Sequence, residues 1–323
     1  MKPSLPPALR EKLEKQGYHL LGGSAAFKPC QWQKKSLLDG GSCYKERFYG
    51  IASHRCVQMT PVVDKCTHQC RFCWRLTPSD VGVSWDQLRV KPQEIMEPAD
   101  LLDAVLRANI RSLGGYNPRA GANVAEEKYH EARSPKHVAI SLAGEPTLYP
   151  RIGELIEEIH RRGMTSFLVT NGTMPQVLAH IVQPTQLYVT LPAPDEETYK
   201  QTSRPLVRDG WIRIQESQEL LQSMSCRTAN RLTMVFGHNM HKARGYAKLI
   251  LKGMPDFVEV KGYMFLGASR NRLEPKNAPA HREIRAFAQK IAALTGYYVQ
   301  DEQVESRVVL LSKRTKPSRI DWK

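Results

Sequence analysis

Apolar and polar positions alternate in two ways along this chain. From Val57 onward, short apolar runs of strand length stand at 57–64, 137–143, 166–171, 186–191, 230–236 and 257–264. Between them, apolar residues return every three or four positions: Leu101, Leu102, Val105, Leu106, Ile110 and Leu113 in one stretch, Ile152, Leu155, Ile156 and Ile159 in a second, Leu220, Leu221 and Met224 in a third. Strands that alternate with amphipathic helices predict βα units around a parallel sheet. Six strands suit a partial (β/α)6 TIM-like barrel better than a closed eight-stranded one. The helical stripes are core. The stretch from Gly114 to Pro135 breaks the rhythm with Gly114-Gly115 and Asn117-Pro118, which predicts an insertion over the barrel rim.

The first sixty residues are less regular. Pro3 to Leu21 reads as a short helix, with Pro6-Pro7 near its start, Leu9, Leu13 and Gly17 on its register, and Gly22-Gly23 closing it. The expected division is an N-terminal extension over 1–56 and a barrel over 57–323 that ends in a helix and a strand. No internal repeat stands out.

Composition narrows the class. The chain has 323 residues, 41% of them hydrophobic, and its mean hydropathy is −0.45. No run approaches the roughly 20 apolar residues of a membrane span, and the start, Met1-Lys2-Pro3-Ser4-Leu5-Pro6-Pro7, carries no signal core. The expectation is a cytoplasmic monomer without a membrane partner. A net charge of +15 favours a polyanionic partner without choosing nucleic acid over merely solvated lysines.

Seven cysteines, an odd number in a reducing compartment, argue for metal ligation rather than disulfides. Cys66, Cys70 and Cys73 follow the first strand in C-x3-C-x2-C spacing, with Phe72 just before the third. Thiolates ligate iron–sulfur clusters, and three of them leave one iron of a cubane open to a small molecule. Zinc would want four ligands, and His68 sits inside the loop where it could not easily reach. Cys30, Cys43 and Cys56 lie at intervals of thirteen residues. Isolated cysteines are most often buried small side chains, but a second triple directly before the strand that carries the first suggests an auxiliary cluster. Cys226 reads as a spare thiol, and His54, His68 and His238 have no distinguishing spacing.

Chemistry in parallel α/β barrels sits at the C-terminal strand ends. There the sequence offers Gly144-Glu145-Pro146, Thr170-Asn171-Gly172, Thr190 and Lys261-Gly262. Gly144 would let backbone approach a ligand, and Glu145 could accept a charge-assisted hydrogen bond from an ammonium. Asn171-Gly172 could equally be only a turn; Asn171 and Thr190 are candidates for the ligand side.

The cysteine loop after a strand resembles that of the radical S-adenosylmethionine (radical SAM) enzymes. That resemblance implies that the open iron chelates the methionine moiety of SAM, that an electron from the cluster cleaves the sulfonium to a 5′-deoxyadenosyl radical, that Phe72 lies near the adenine, and that Gly144 and Glu145 match the motif for the SAM amino group. Together with Cys73-Trp74-Arg75, Ser166 to Asn171, Gln186 to Val189, Arg204-Pro205-Leu206 and Asp256 to Gly262, the chain from about Cys30 to Arg314 resembles the 4-demethylwyosine synthases of tRNA wyosine synthesis, in their shorter archaeal form without a flavodoxin-like domain. The resemblance implies conversion of N1-methylguanosine, next to the anticodon of phenylalanine tRNA, into 4-demethylwyosine with pyruvate as two-carbon donor. Hydrogen abstraction from the N-methyl group, addition to pyruvate, loss of the carboxylate fragment and amine condensation make up the reaction it implies. It further implies two 4Fe-4S clusters, on Cys66, Cys70 and Cys73 and on Cys30, Cys43 and Cys56, Lys45 at pyruvate, and an external electron donor of flavodoxin or ferredoxin type. Arg47, Tyr44 and Phe48 would activate Lys45 by supplying a cationic neighbour and desolvation. Arg204, Arg208 and the stretch from Arg111 to Arg133 are candidate tRNA contacts. Two alternatives share these features: a radical SAM peptide-modifying or maturase enzyme with an auxiliary cluster, and a non-catalytic zinc RNA-binding protein.

Overall fold

The computed structural model describes residues 4–82, 90–316 and 319–322. The chain divides into two compact units, one of Met1–Lys65, Val81–Leu168 and Ser318–Lys323, the other of Cys66–Asp80 and Val169–Pro317.

In the first unit, α1 (Pro7–Lys15) begins at proline, whose fixed φ suits a first helical turn. The helix stops well short of Leu21, because the chain turns at Gly17 (φ +78°) and His19–Gly22 (β1) becomes a strand. It pairs antiparallel with β2 (Ala25–Phe27), which pairs antiparallel with β3 (Cys56–Thr60). The short helices α2 (Gln31–Leu37) and α3 (Tyr44–Tyr49) lie between β2 and β3. From β3 the pattern is parallel: β3 with β4 (His137–Ile140), Val57 opposite Val138, and β4 with β5 (Thr165–Thr170), Ala139 opposite Phe167.

The connections of this unit are α4 (Pro98–Ser112), α5 (Glu126–Arg133) and α6 (Ile152–Arg161). On α6 the predicted stripe is buried in full. On α4 it is displaced: Leu101, Leu102, Val105 and Ala108 are buried, Ile110 is exposed, and Asn109 takes its place. A buried amide needs partners, and Asn109 accepts from Gln33 at 2.9 Å and donates to the Ala132 carbonyl at 2.9 Å. The stretch from Gly114 to Pro135, expected as an insertion, has packing of its own: Val124, Tyr129 and Ala132 form a small core with Leu37 and Leu113. The chain end returns to α3: the Ile320 amide donates to the Tyr49 carbonyl at 2.9 Å, and the Trp322 indole donates to the Gly50 carbonyl at 2.8 Å.

The second unit carries β6 (Gln186–Thr190), β7 (Arg227–Met234) and β8 (Phe257–Gly262), parallel in that order. Two strands, β9 (Tyr298–Gln303) and β10 (Val308–Ser312), close the C-terminal end; β10 pairs antiparallel with both β8 and β9. The sequence predicted one strand there. The helices are α7 (Pro175–Leu178), α8 (Glu196–Ser203), α9 (Gly210–Leu220), α10 (Ala243–Gly253) and α11 (His281–Thr295). Leu232, Val258 and Val309 from the strands pack with Ile214, Ile250 and Ile291 from the helices. The third predicted stripe is also shifted: the buried face of α9 is Ile214, Ser217 and Gln218, and Met224 lies beyond its end. No helix among the described residues is long and apolar enough to cross a membrane.

Candidate active site

In the second unit the loop from Cys66 to Cys73 has little regular structure, so its shape depends on what holds it. Along one side it is stitched to the end of α8: the Leu206 amide donates to the Thr67 carbonyl at 2.9 Å, the Gln69 amide to the Ser203 carbonyl at 3.0 Å, and the Arg71 amide to the Thr202 carbonyl at 2.9 Å. Asn171 braces its start. The Asn171 amide donates to the Thr67 hydroxyl at 2.7 Å, while its oxygen accepts from the amide and hydroxyl of Thr173 at 3.0 and 2.7 Å. At the far end the Arg272 guanidinium donates to the Arg71 carbonyl at 3.3 Å and to the Cys73 carbonyl, and pairs with Asp80.

The thiols suit a metal cluster. The Cys66 sulfur receives the His68 amide at 3.4 Å and the Asn171 side-chain amide at 3.7 Å, donors of the kind that orient and tune a ligating thiolate. Burial pushes the Cys70 thiol up to about 12, with neighbouring Cys73 adding and Ser203 and Arg272 opposing; burial raises Cys73 as well. Such thiols ionise when a metal centre binds them. Among the described residues, no three His, Cys, Asp or Glu side chains gather tightly enough to hold a single metal ion, whereas a cubane places each thiolate on its own iron. His68 is no fourth ligand: its Nε2 lies 2.7 Å from the Tyr199 hydroxyl, and burial holds its pKa down at about 3. Phe72 packs against Val235, Tyr263 and Leu273. Thr190 ends β6 opposite Arg231.

The first unit gathers the other triple. Cys30 precedes α2, Cys43 precedes α3, and Cys56 opens β3. Burial pushes the Cys56 thiol up; Cys30 and Cys43 add to the shift and the Lys45 ammonium opposes it, so all four groups share one electrostatic neighbourhood. The turn between is fixed by the Cys43 amide on the Ser53 hydroxyl at 2.9 Å and the Ser53 amide on Glu46 at 2.8 Å. Lys45 is buried on α3, with its ammonium 4.9 Å from the centre of the Phe167 ring. Arg47, expected as its cationic neighbour, is on the exposed face of α3, because two positions along a helix turn a side chain away. Tyr44 and Phe48 are buried as expected.

In the same unit Gly144 has φ +73°, and a Cβ there would lie 1.8 Å from the Val62 carbonyl oxygen and 2.7 Å from that of Lys65. The room left by the glycine is therefore filled by the protein's own backbone rather than reserved for a ligand. The Glu145 amide donates to the Lys65 carbonyl at 2.7 Å, which fixes the glycine–glutamate turn to the residue bonded to Cys66. Glu145 is buried, and one of its oxygens accepts from the Thr147 amide and hydroxyl at 3.2 and 2.6 Å. Thr67, Thr147, Phe167, Thr173 and Arg272 were not legible as site residues. Only Thr67, inside the cysteine loop, carried a positional signal.

Known proteins resemble this chain in both sequence and fold. A family model described as Radical SAM superfamily matches residues 60–250, and one described as Wyosine base formation matches residues 252–313. The S-adenosyl-L-methionine-dependent tRNA 4-demethylwyosine synthase of Pyrococcus horikoshii is 47% identical over 316 residues, covering 96% of this chain and 90% of its own. Among solved structures, archaeal TYW1 matches with a TM-score of 0.80 at 32% identity, over 98% of this chain and 100% of its own. A structure of TYW1 with a lysine-pyruvate adduct bound matches with a TM-score of 0.86 at 34% identity, over 99% of each chain. The six parallel strands thus belong to the radical SAM fold, and the chain is a member of the tRNA 4-demethylwyosine synthase family, radical SAM enzymes of wyosine base formation.

Proposed function

We propose that this enzyme condenses N1-methylguanosine in phenylalanine tRNA with pyruvate to give 4-demethylwyosine, using two 4Fe-4S clusters and SAM. Cys66, Cys70 and Cys73 hold the cluster that binds SAM; Cys30, Cys43 and Cys56, in the extension over 1–56, hold the second. Phe72, Gly144, Glu145, Asn171 and Thr190 make up the SAM side: Glu145 accepts the ammonium, Gly144 keeps its turn against the chain that enters the cysteine loop, and Asn171 acts largely by bracing that loop. When bound, the clusters and SAM supply the one-electron chemistry that activates the N-methyl group. Electrons come from a separate flavodoxin or ferredoxin, and the enzyme works as a cytoplasmic monomer.

The observation that carries this reading is Lys45 in the neighbourhood of the second cysteine triple, in a chain similar to a TYW1 that binds a lysine-pyruvate adduct. An unprotonated amine adds to the C2 carbonyl of pyruvate, and the carbonyl oxygen leaves as water; the imine forms without redox change. Burial of Lys45 against Phe167 keeps bulk water from reversing it. Iron and sulfide analysis tests the ligand assignment. The intact protein should hold about eight of each, and a Cys66/Cys70/Cys73 triple alanine variant about half. An intact protein with a single cluster would overturn the second site.

A further inference from the structure

We propose that Trp74 is a fixed stacking platform for an unpaired nucleobase of the RNA substrate, a role that rests on the tRNA reading above. Trp74 is 47% exposed, unusual for the largest apolar side chain, and it directly follows the cluster ligand Cys73. Its ring is backed on one face by the Arg75 guanidinium, 3.4 Å from the ring centre, and Arg75 is itself only 7% exposed. The exposed area therefore belongs to the opposite face and the edge. The backbone on both sides is immobilised. The Cys73 carbonyl is held by Arg272, and the Trp74 carbonyl accepts the Ala268 amide at 3.1 Å. Gly267 approaches so closely that a Cβ there would lie 2.1 Å from that carbonyl oxygen.

A ring held this way loses little freedom on binding, and a flat aromatic face above a cation is matched by a base, which presents a π-face of its own. The net charge of +15 attracts a polyanion to the chain as a whole, and Arg75 lies behind the ring itself. RNA read in single-stranded loops is recognised by splaying bases onto aromatic and arginine planes.

The test is binding of an anticodon stem-loop carrying N1-methylguanosine to the cluster-loaded protein over a range of salt. Trp74→Ala should weaken binding about 5- to 150-fold, with the slope of log affinity against log salt unchanged, because no phosphate contact is removed. Should the alanine variant lose iron, Trp74→Phe supplies the second reading: the quench of tryptophan fluorescence on RNA binding should shrink. Affinity equal to that of the wild type in Trp74→Ala, or a full quench in Trp74→Phe, would overturn the platform alone. A wild-type protein that binds the stem-loop no better than heparin would overturn the RNA reading and the platform with it.

Discussion

Lys45 and Arg272 are two of 47 lysines and arginines, and what each touches separates them from the solvated majority. Lys45 is buried, with its ammonium near an aromatic ring and close enough to the Cys56 thiol to oppose the upward shift that burial imposes on it. Lys45→Arg keeps the charge but cannot form an imine, so tricyclic product should vanish while cluster content and SAM binding persist; nucleoside mass spectrometry checks the first and iron analysis the second. Substantial product would mean that Lys45 acts only through its charge, or not at all. Arg272 grips two carbonyls of the cysteine loop and pairs with the largely buried Asp80. Losing that pair in Arg272→Gln should cost about 3–5 kcal/mol of stability. Its positive charge beside Cys73 also favours the reduced, more negative state of a bound cluster. Arg272→Gln should therefore lower the midpoint potential of the SAM-binding cluster in an EPR-monitored titration, and Arg272→Lys should restore most of it. An unchanged potential would leave Arg272 as a clamp only.

At the scale of elements, the strands were legible and their edges were not. All six parallel strands were located by apolar runs bounded by polar or glycine-rich turns, yet each ends short of its run: β3 ends at Thr60, although the apolar run continues to Val63. β1 and β2, of 4 and 3 residues, were too short for any periodicity to register. The exchange of Ile110 for Asn109 shows why stripes mislead at helix ends: Gln33 and Ala132, distant in sequence, decide which face is buried. Cys66, Cys70 and Cys73 stand out by spacing alone, whereas Cys30, Cys43 and Cys56 are too far apart for spacing to group them and were joined by their place before the first strand and by family resemblance. Arg272 and Phe167 were not legible, since their partners are brought together only by the fold. Gly144→Ala should be strained by its positive φ and its collision with the Val62 carbonyl. A cost of about 2–4 kcal/mol is expected, with iron falling from about eight towards four per chain on the proposed assignment. His137, at the start of β4, supplies a pH prediction. Its Nε2 accepts the Ala52 amide at 3.1 Å, so its other nitrogen, 2.7 Å from the Thr165 hydroxyl, carries the proton. Burial, with Arg55, His54 and Lys136 adding, holds its pKa at about 3. The unfolded chain takes up a second ring proton near pH 6.5 and the folded protein only near 3, where it must displace the Ala52 hydrogen bond. Its contribution is thus fully present above about pH 6.5 and is lost as pH falls through that window, by up to about 1.4 kcal/mol per pH unit. Urea midpoints at pH 7 and pH 5 should differ more for the wild type than for His137→Gln; equal differences would remove His137 from the account.

For the whole molecule, the family assignment rests on similarity over nearly the full chain, and the chemistry proposed for it rests on one buried lysine in the neighbourhood of three cysteines. The +15 charge is consistent with an RNA substrate but does not choose the reaction. The peptide-modifying and zinc-binding alternatives lose their footing to the family match. The most direct test is turnover by the anaerobically reconstituted protein with SAM, dithionite, tRNA containing N1-methylguanosine, and pyruvate labelled with carbon-13 at either C1 or C2, followed by nucleoside mass spectrometry. The account predicts a tricyclic nucleoside that retains the C2 label and lacks the C1 label. A protein with full iron content that cleaves SAM and leaves N1-methylguanosine unchanged, or a product that keeps C1, would contradict it.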